Sequence, residues 1–391
     1  AREALEHVVV FGGLTEPTLD ARDETWVWNG HAWIVTGSPS GAVGASQPRA
    51  RHAFAYAFGQ SLFGKIFDWI GTRIGFILSI TVWSAATMLH AVAGSLTSFA
   101  FFRAILGVSE AGNWPGATKE NAEWFPIKER ALAQGIFNSG AAIGGIISAP
   151  VIAYLFVYLE SWRATFITVG ALGLLWLIPW LIIYKSGPDK HPWLSESERE
   201  YILSGQRNAE TNEVATYAPG AGEILSRRQS WGVILASFFL DPIWWLFVGW
   251  LPLYLSETYG FGVKEIGLYA WVPYVGAMVG AWFGGLLAQN RNSAGWTVNK
   301  ARKYVITLGG LIMLVSLLLT MKAATPMIAV LLMAAILFGF QTAVGNIQTL
   351  PSDFYSGESV GSLAGFAGTA AKLAVVGLNF LIPFITVNSY G

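Results

Sequence analysis

From residue 53 onward the chain alternates long apolar runs with short polar breaks, about ten runs in all. They lie near 53 to 70, 74 to 94, 97 to 118, 132 to 157, 163 to 184, 230 to 255, 266 to 288, 304 to 321, 327 to 349 and 361 to 386. Each is long enough, or nearly so, to cross a hydrocarbon layer about 30 Å thick as an α-helix. One polar connection, 185 to 229, is far longer than the others and divides five runs from five. The pattern predicts an all-α membrane protein with helix bundles at 53–184 and 230–391 joined by a linker at 185–229. Inside the linker, Ser195 and Glu198 have the spacing of a capping box and Gly205 supplies a stop, which predicts a short surface helix. The first run is short and the last nearly reaches Gly391, so both ends are expected to be truncated.

Residues 1 to 52 follow a different rule. "HVVVFGG", "DETWVWNGHAWIV" and "ARHAFAYAF" put β-branched and aromatic residues between Gly, Asn and Pro turns, which predicts strand and hairpin. The double glycine, the W-x-W hairpin and the closing R-H-A-F-A-Y resemble one blade of a kelch-type β-propeller. A lone blade cannot bury its faces. The segment is therefore expected to be an orphan piece of a hybrid or fragmentary gene, a reading in line with the missing initiator methionine and signal peptide.

Composition settles the solvent. With 53% hydrophobic and 12% charged residues and a mean hydropathy of +0.48, the chain has too little charge to cover a water-exposed surface. Arg73, Lys128, Arg130, Lys185, Lys190, Arg199, Arg207, Arg227, Arg228, Arg291, Lys300, Arg302 and Lys303 fall in alternate loops, which the positive-inside rule makes cytoplasmic. A formal net charge of zero gives no sign of a nucleic-acid partner, and zero cysteines exclude disulfides and thiolate chemistry. His7, His31, His52, His90 and His191 lack metal-ligand spacing, so no metal or other cofactor is expected, and no nucleophile cluster or nucleotide loop suggests an enzyme.

The few ionisable groups inside the runs then carry the functional argument. Arg103 and Glu110 are seven residues apart, so they sit about 20° apart on one helix face. Each costs about 2.5 to 3.5 kcal/mol at mid-membrane, which favours a shared interior cavity, as substrate and proton site or as a structural ion pair. Lys372 lies about 18 Å along its helix if that helix starts near Val360, too deep to reach the interface easily, and Asn379 follows on the same face. These suggest anion binding. Asp241, next to Pro242, is either a second proton site or a cap on a kink. Gln341, Asn346 and Gln348 suit hydroxyl recognition and suit interhelical bonding equally well. Gly140 with Gly144, Gly276 with Gly280 and Gly284, and Gly361 with Gly365 predict close helix seams.

"GKIFDWIGTR" contributes Gly64, Asp68, Gly71 and Arg73, a match to the loop signature G-x-x-x-D-[RK]-x-G-x-[RK] of the major facilitator superfamily, with Trp69 in place of a basic residue. From about Tyr56 on, "RAILGVSEAGNWPGATKENAEWFPIKERA", "IFNSGAAIGG", "DPIWWLFVGWLPLYL" and "GLYAWVPYVGAMVG" resemble its anion:cation symporter branch, most of all bacterial hexuronate transporters. The resemblance implies a monomeric, multi-pass protein of the bacterial inner membrane, with two six-helix bundles lacking here the first and last helices. It implies proton-driven uptake of a sugar acid or related organic anion, coupling at Arg103 and Glu110, substrate contacts at Tyr56 and Gln60, and a conformational latch at the loop signature. The competing expectation is a membrane-tethered β-propeller that binds or oxidises a sugar.

Overall fold

The computed structural model describes residues 25–28, 33–36, 47–206, 218–261, 263–355 and 357–390. Two short strands, β1 (Thr25–Trp28) and β2 (Trp33–Thr36), pair antiparallel with Thr25 opposite Thr36; "HVVVFGG" lies outside the described residues. The remaining elements are helices: α1 (Gln47–Ile70), α2 (Thr72–Leu89), α3 (Leu96–Glu110), α4 (Asn113–Trp124), α5 (Arg130–Leu159), α6 (Trp162–Leu175) and α7 (Leu177–Ile183). Then come α8 (Glu196–Gly205) and α9 (Ala221–Ser226), followed by α10 (Arg228–Tyr259), α11 (Val263–Tyr269), α12 (Val272–Ser293), α13 (Val298–Thr320), α14 (Pro326–Gln348), α15 (Leu350–Phe354) and α16 (Gly357–Tyr390).

One boundary departs from expectation. Residues 50 to 52, placed in the strand segment, are helical, and residues 53 to 58, shared between its closing strand and the first apolar run, follow the run, because α1 starts at Gln47. The alternation in "AFAYAF" is built from alanine, the best helix former, and Pro48 falls in the first turn, where a missing N–H costs nothing.

Three predicted single spans are each broken in two, and proline accounts for all three. Pro115, Pro179 and Pro273 cannot donate to the carbonyls of Ala111, Leu175 and Tyr269, four residues back, and α3, α6 and α11 end at or beside those residues. Each proline then sits in the first turn of the next helix. Pro242, by contrast, leaves α10 continuous. Among the described residues seven segments are long and apolar enough to cross a membrane, including Thr72–Val92, Trp162–Ile183 and Pro326–Phe354. Along α6 and α7, Leu172, Leu175, Ile178, Leu181, Ile182 and Ile183 point outward, as lipid-facing side chains do.

The two halves meet along α1 with α16 and α5 with α12. Glycine makes both seams possible. A Cβ on Gly64 would collide with the Gly361 carbonyl, and one on Gly365 would lie 2.5 Å from the Gln60 carbonyl. Within the second half, Gly276 and Gly280 abut the carbonyls of Ala334 and Phe338, and a Cβ on Gly284 would sit 2.5 Å from that of Thr342. Gly140 and Gly144, expected to form a seam, have open space beside them. The linker helix α8 carries the expected capping box between Ser195 and Glu198; those bonds hold the Glu198 carboxyl below its usual pKa. It rests on the first half through Tyr201 to Glu129 and Gln206 to the Glu123 carbonyl.

These contacts predict that Gly280→Ala lowers stability by about 1 to 3 kcal/mol, since the α14 backbone must yield. Gly144→Ala should be neutral or stabilise by up to about 1 kcal/mol, because alanine favours the helix. Thermal unfolding in detergent, followed by tryptophan fluorescence, checks the pair.

Candidate functional site

A cavity of about 120 Å³ lies between α1, α4, α5, α10, α14 and α16. It has room for several waters or a small polar solute. Lys372 and Asp241 stand in its wall, with Gln60 and Gln341 around them and Trp114, Trp244 and Trp245 supplying flat apolar surface. The Lys372 ammonium donates to Asp241 Oδ2 at 2.8 Å and lies 4.4 Å from the Trp245 ring and 5.3 Å from the Tyr56 ring. Two buried amide oxygens of this wall, on Gln60 and Gln341, have no hydrogen-bond partner. An unmatched buried acceptor costs about 1 to 3 kcal/mol, and a hydroxylated solute can remove that cost.

The other predicted residues divide. Tyr56 is buried against Gln60 and Trp114 within electrostatic reach of Glu110 and Asp241. Glu110 ends α3 with accessible surface, and its charged neighbours are Arg103 and Lys372. Arg103 is half-buried and interacts electrostatically with Glu110, although among the described residues no ion pair within 4 Å joins them. Arg103 and Glu110 lie outside the lining of the cavity itself.

For Asn346 the interhelical reading is the one the structure favours: it is fully buried, its amide engages the carbonyls of Gly284 and Thr342, and its oxygen accepts from Arg302. It ties helices together. Asn379 is half-buried and does not line the cavity either. One helical face can hold residues at different depths, and the cavity spans only part of that depth.

The cavity floor is closed toward the end that carries the basic loops. Asp68 accepts from the Gly361 and Ser362 backbone at 3.0 and 2.7 Å and from the Ser362 hydroxyl at 2.6 Å, with Lys119 at 3.5 Å. Gly71 has φ 79° and ψ 164°, a backbone state essentially restricted to glycine, which turns the chain from α1 into α2. Arg73 donates to the Lys185 carbonyl at 3.2 Å. Gly64 gives α1 its close approach to α16. Above this lies an amide cluster in which Gln134 and Asn138 both donate to Gln348 Oε1, at 3.1 and 2.8 Å.

Two residues in this closure carried no functional expectation. Arg130 donates to the carbonyls of Ala122 and Phe125, at the C-terminal end of α4, and reaches across to Ser352 at 2.7 Å. A guanidinium there satisfies carbonyls a helix end leaves unpaired and complements its dipole. Arg302, 2% exposed, pairs with Asp353 at 3.1 Å and donates to the Ile127 carbonyl of the first half. In the sequence both looked like loop charges. The usable signal was Asp353, an acid near the end of an apolar run.

Taken together, helices broken at proline, seams of glycine and a polar cavity sealed at one end describe a membrane-embedded solute transporter. The chain belongs to the Major Facilitator Superfamily, whose family model matches residues 38–377. It is a multi-pass membrane transporter and not an enzyme. It is 36% identical over 327 residues to the hexuronate transporter of Escherichia coli strain K12, covering 83% of this chain and 74% of the relative. It is 37% identical over 268 residues to the galacturonate transporter of Dickeya chrysanthemi, covering 68% and 76%. In fold it matches the crystal structure of a human organic anion transporter with TM-score 0.62 at 16% identity, covering 85% of this chain and 75% of that one. The superfamily match begins inside the segment expected to be kelch-like, and nothing in these likenesses supports a propeller blade or a tethered propeller. Turn residues and two strands are too common a pattern to define one.

The closure predicts that Asp68→Asn, which removes a charged acceptor serving four donors, opens the basic end. Because the chain has no cysteine, Ser237→Cys in the cavity wall provides a clean reporter. Its labelling by an impermeant maleimide from the cytoplasmic face should rise by roughly tenfold, since each charged hydrogen bond contributes about 1.5 to 3 kcal/mol.

Proposed function

We propose that the chain imports a sugar acid, such as a hexuronate or a related organic anion, with protons, as a monomer in the bacterial inner membrane. The observation that carries this reading is the cavity itself, where one ammonium and two unmatched buried amide oxygens converge. A carboxylate suits the first and hydroxyl groups suit the second. The names of the relatives, hexuronate transporter and galacturonate transporter, point to the same chemistry.

In this reading Lys372 and Arg103 attract the carboxylate, and Gln60, Gln341 and Tyr56 receive the hydroxyls. Glu110 carries the proton, with Asp241 as a second acceptor. Ionised Glu110 holds charge opposite both cations, and protonation weakens that attraction, which lets the halves rock about the α1–α16 and α5–α12 seams. The loop signature at Gly64, Asp68, Gly71 and Arg73 latches the state closed at the cytoplasmic end.

Uptake of labelled galacturonate into proteoliposomes, with and without an inward proton gradient, tests the proposal. Glu110→Gln should abolish gradient-driven accumulation while retaining substrate exchange; coupling that survives intact rejects the proton role. Arg103→Lys keeps the charge and loses the planar fork, so affinity should fall by about tenfold or more.

A further inference from the structure

The Lys372–Asp241 pair lies within one half of the molecule, between α16 and α10, and both members face the cavity. Their exposures differ. The lysine side chain is 9% accessible and the aspartate 28%, so the carboxylate is the member that water and solutes can reach. Trp245 and Tyr56 each set an aromatic face near the ammonium, at 4.4 and 5.3 Å. These faces stabilise a cation but accept no ordinary hydrogen bond. Asp241 is thus the carboxylate partner of Lys372 among the described residues, seated where the cation meets the cavity.

We infer that Asp241 is a resident counter-ion: it occupies, on Lys372, the position that a substrate carboxylate takes, and loading exchanges one carboxylate for the other. This rests on the reading of the cavity as an organic-anion site. Exchange, rather than simple addition, follows from charge. A second carboxylate beside an intact pair adds a net negative charge to a site with few compensating groups. Replacing Asp241 keeps the ammonium paired throughout and moves the aspartate toward the wetter side of the cavity.

Selectivity follows from the same exchange. An uncharged sugar offers hydroxyls to Gln60 and Gln341 but nothing that can take Asp241's place, so the pair stays shut against it. A sugar acid offers both, yet binds more weakly than its contacts allow, because only the fraction of molecules with the pair open is competent.

Binding of D-galacturonate and of uncharged D-galactose to the purified full chain in lipid nanodiscs, read by isothermal titration and tryptophan fluorescence, tests the inference. Asp241→Asn should tighten galacturonate binding by about tenfold or more, since an open state populated at 10% or less costs that factor, and should leave galactose unchanged. Unchanged or weaker galacturonate binding, or an equal gain for galactose, overturns the counter-ion role. If wild type fails to bind any of the sugar acids D-galacturonate, D-glucuronate and D-galactonate, the organic-anion reading itself fails, which is a different result. Should Asp241→Asn not fold because it strands Lys372, the charge-neutral double variant Asp241→Asn with Lys372→Gln carries the test. It should lose the preference for galacturonate over galactose, and a preference kept intact overturns the inference.

Discussion

An ammonium held deep within a membrane protein must have a partner at every stage of the protein's work, and Lys372 imposes that constraint here. Its helix places it well inside the bundle, where Asp241, Trp245 and Tyr56 surround it. The groups come from α1, α10 and α16, so the cation draws both halves to one point. Bringing α1 and α16 close enough requires glycine at 64, 361, 365 and 368, and those glycines line the contact. The glycines that let α1 approach α16 thus also bring Tyr56 beside the lysine.

A second layer of constraint closes the basic end. Arg130 directs its guanidinium group at the backbone carbonyls of Ala122, Phe125 and Ser352, and Arg302 divides its own between the Ile127 carbonyl and the side chains of Asp353 and Asn346. Those carbonyls lie at helix ends or in the turn after α4, where the helix supplies no internal donor. A transporter that must open this end needs contacts that hold in one state and can be hydrated in the other. Hydrogen bonds to helix-end carbonyls meet that need better than a packed apolar plug, because water can replace them with little loss.

The breaks in α3–α4, α6–α7 and α11–α12 show how the backbone serves the site. Proline removes one donor and the helix ends; Ala111 and Gly112 keep right-handed helical angles between α3 and α4. Glu110 thus sits at a helix terminus rather than in mid-helix. Its side chain is accessible there.

Much was legible in the chain by itself: the apolar runs, the capped helix after the fifth of them, and Lys372, Asp241 and Gln341 as polar groups that hydrocarbon would not tolerate, while Gln60 was marked by the family resemblance. These follow from local chemistry, since the cost of a charge in lipid and the reach of a helix depend on the residues alone. Tertiary structure decided the partnerships. It paired Lys372 with Asp241, 131 positions apart, chose packing over hydroxyl recognition for Asn346, and turned Arg130 and Arg302 from loop charges into staples. It also chose which prolines break a helix, Pro273 and not Pro242, and which glycines form seams, Gly280 and not Gly144. Periodicity fixes the face on which a side chain stands, but what stands opposite is set by how the helices cross.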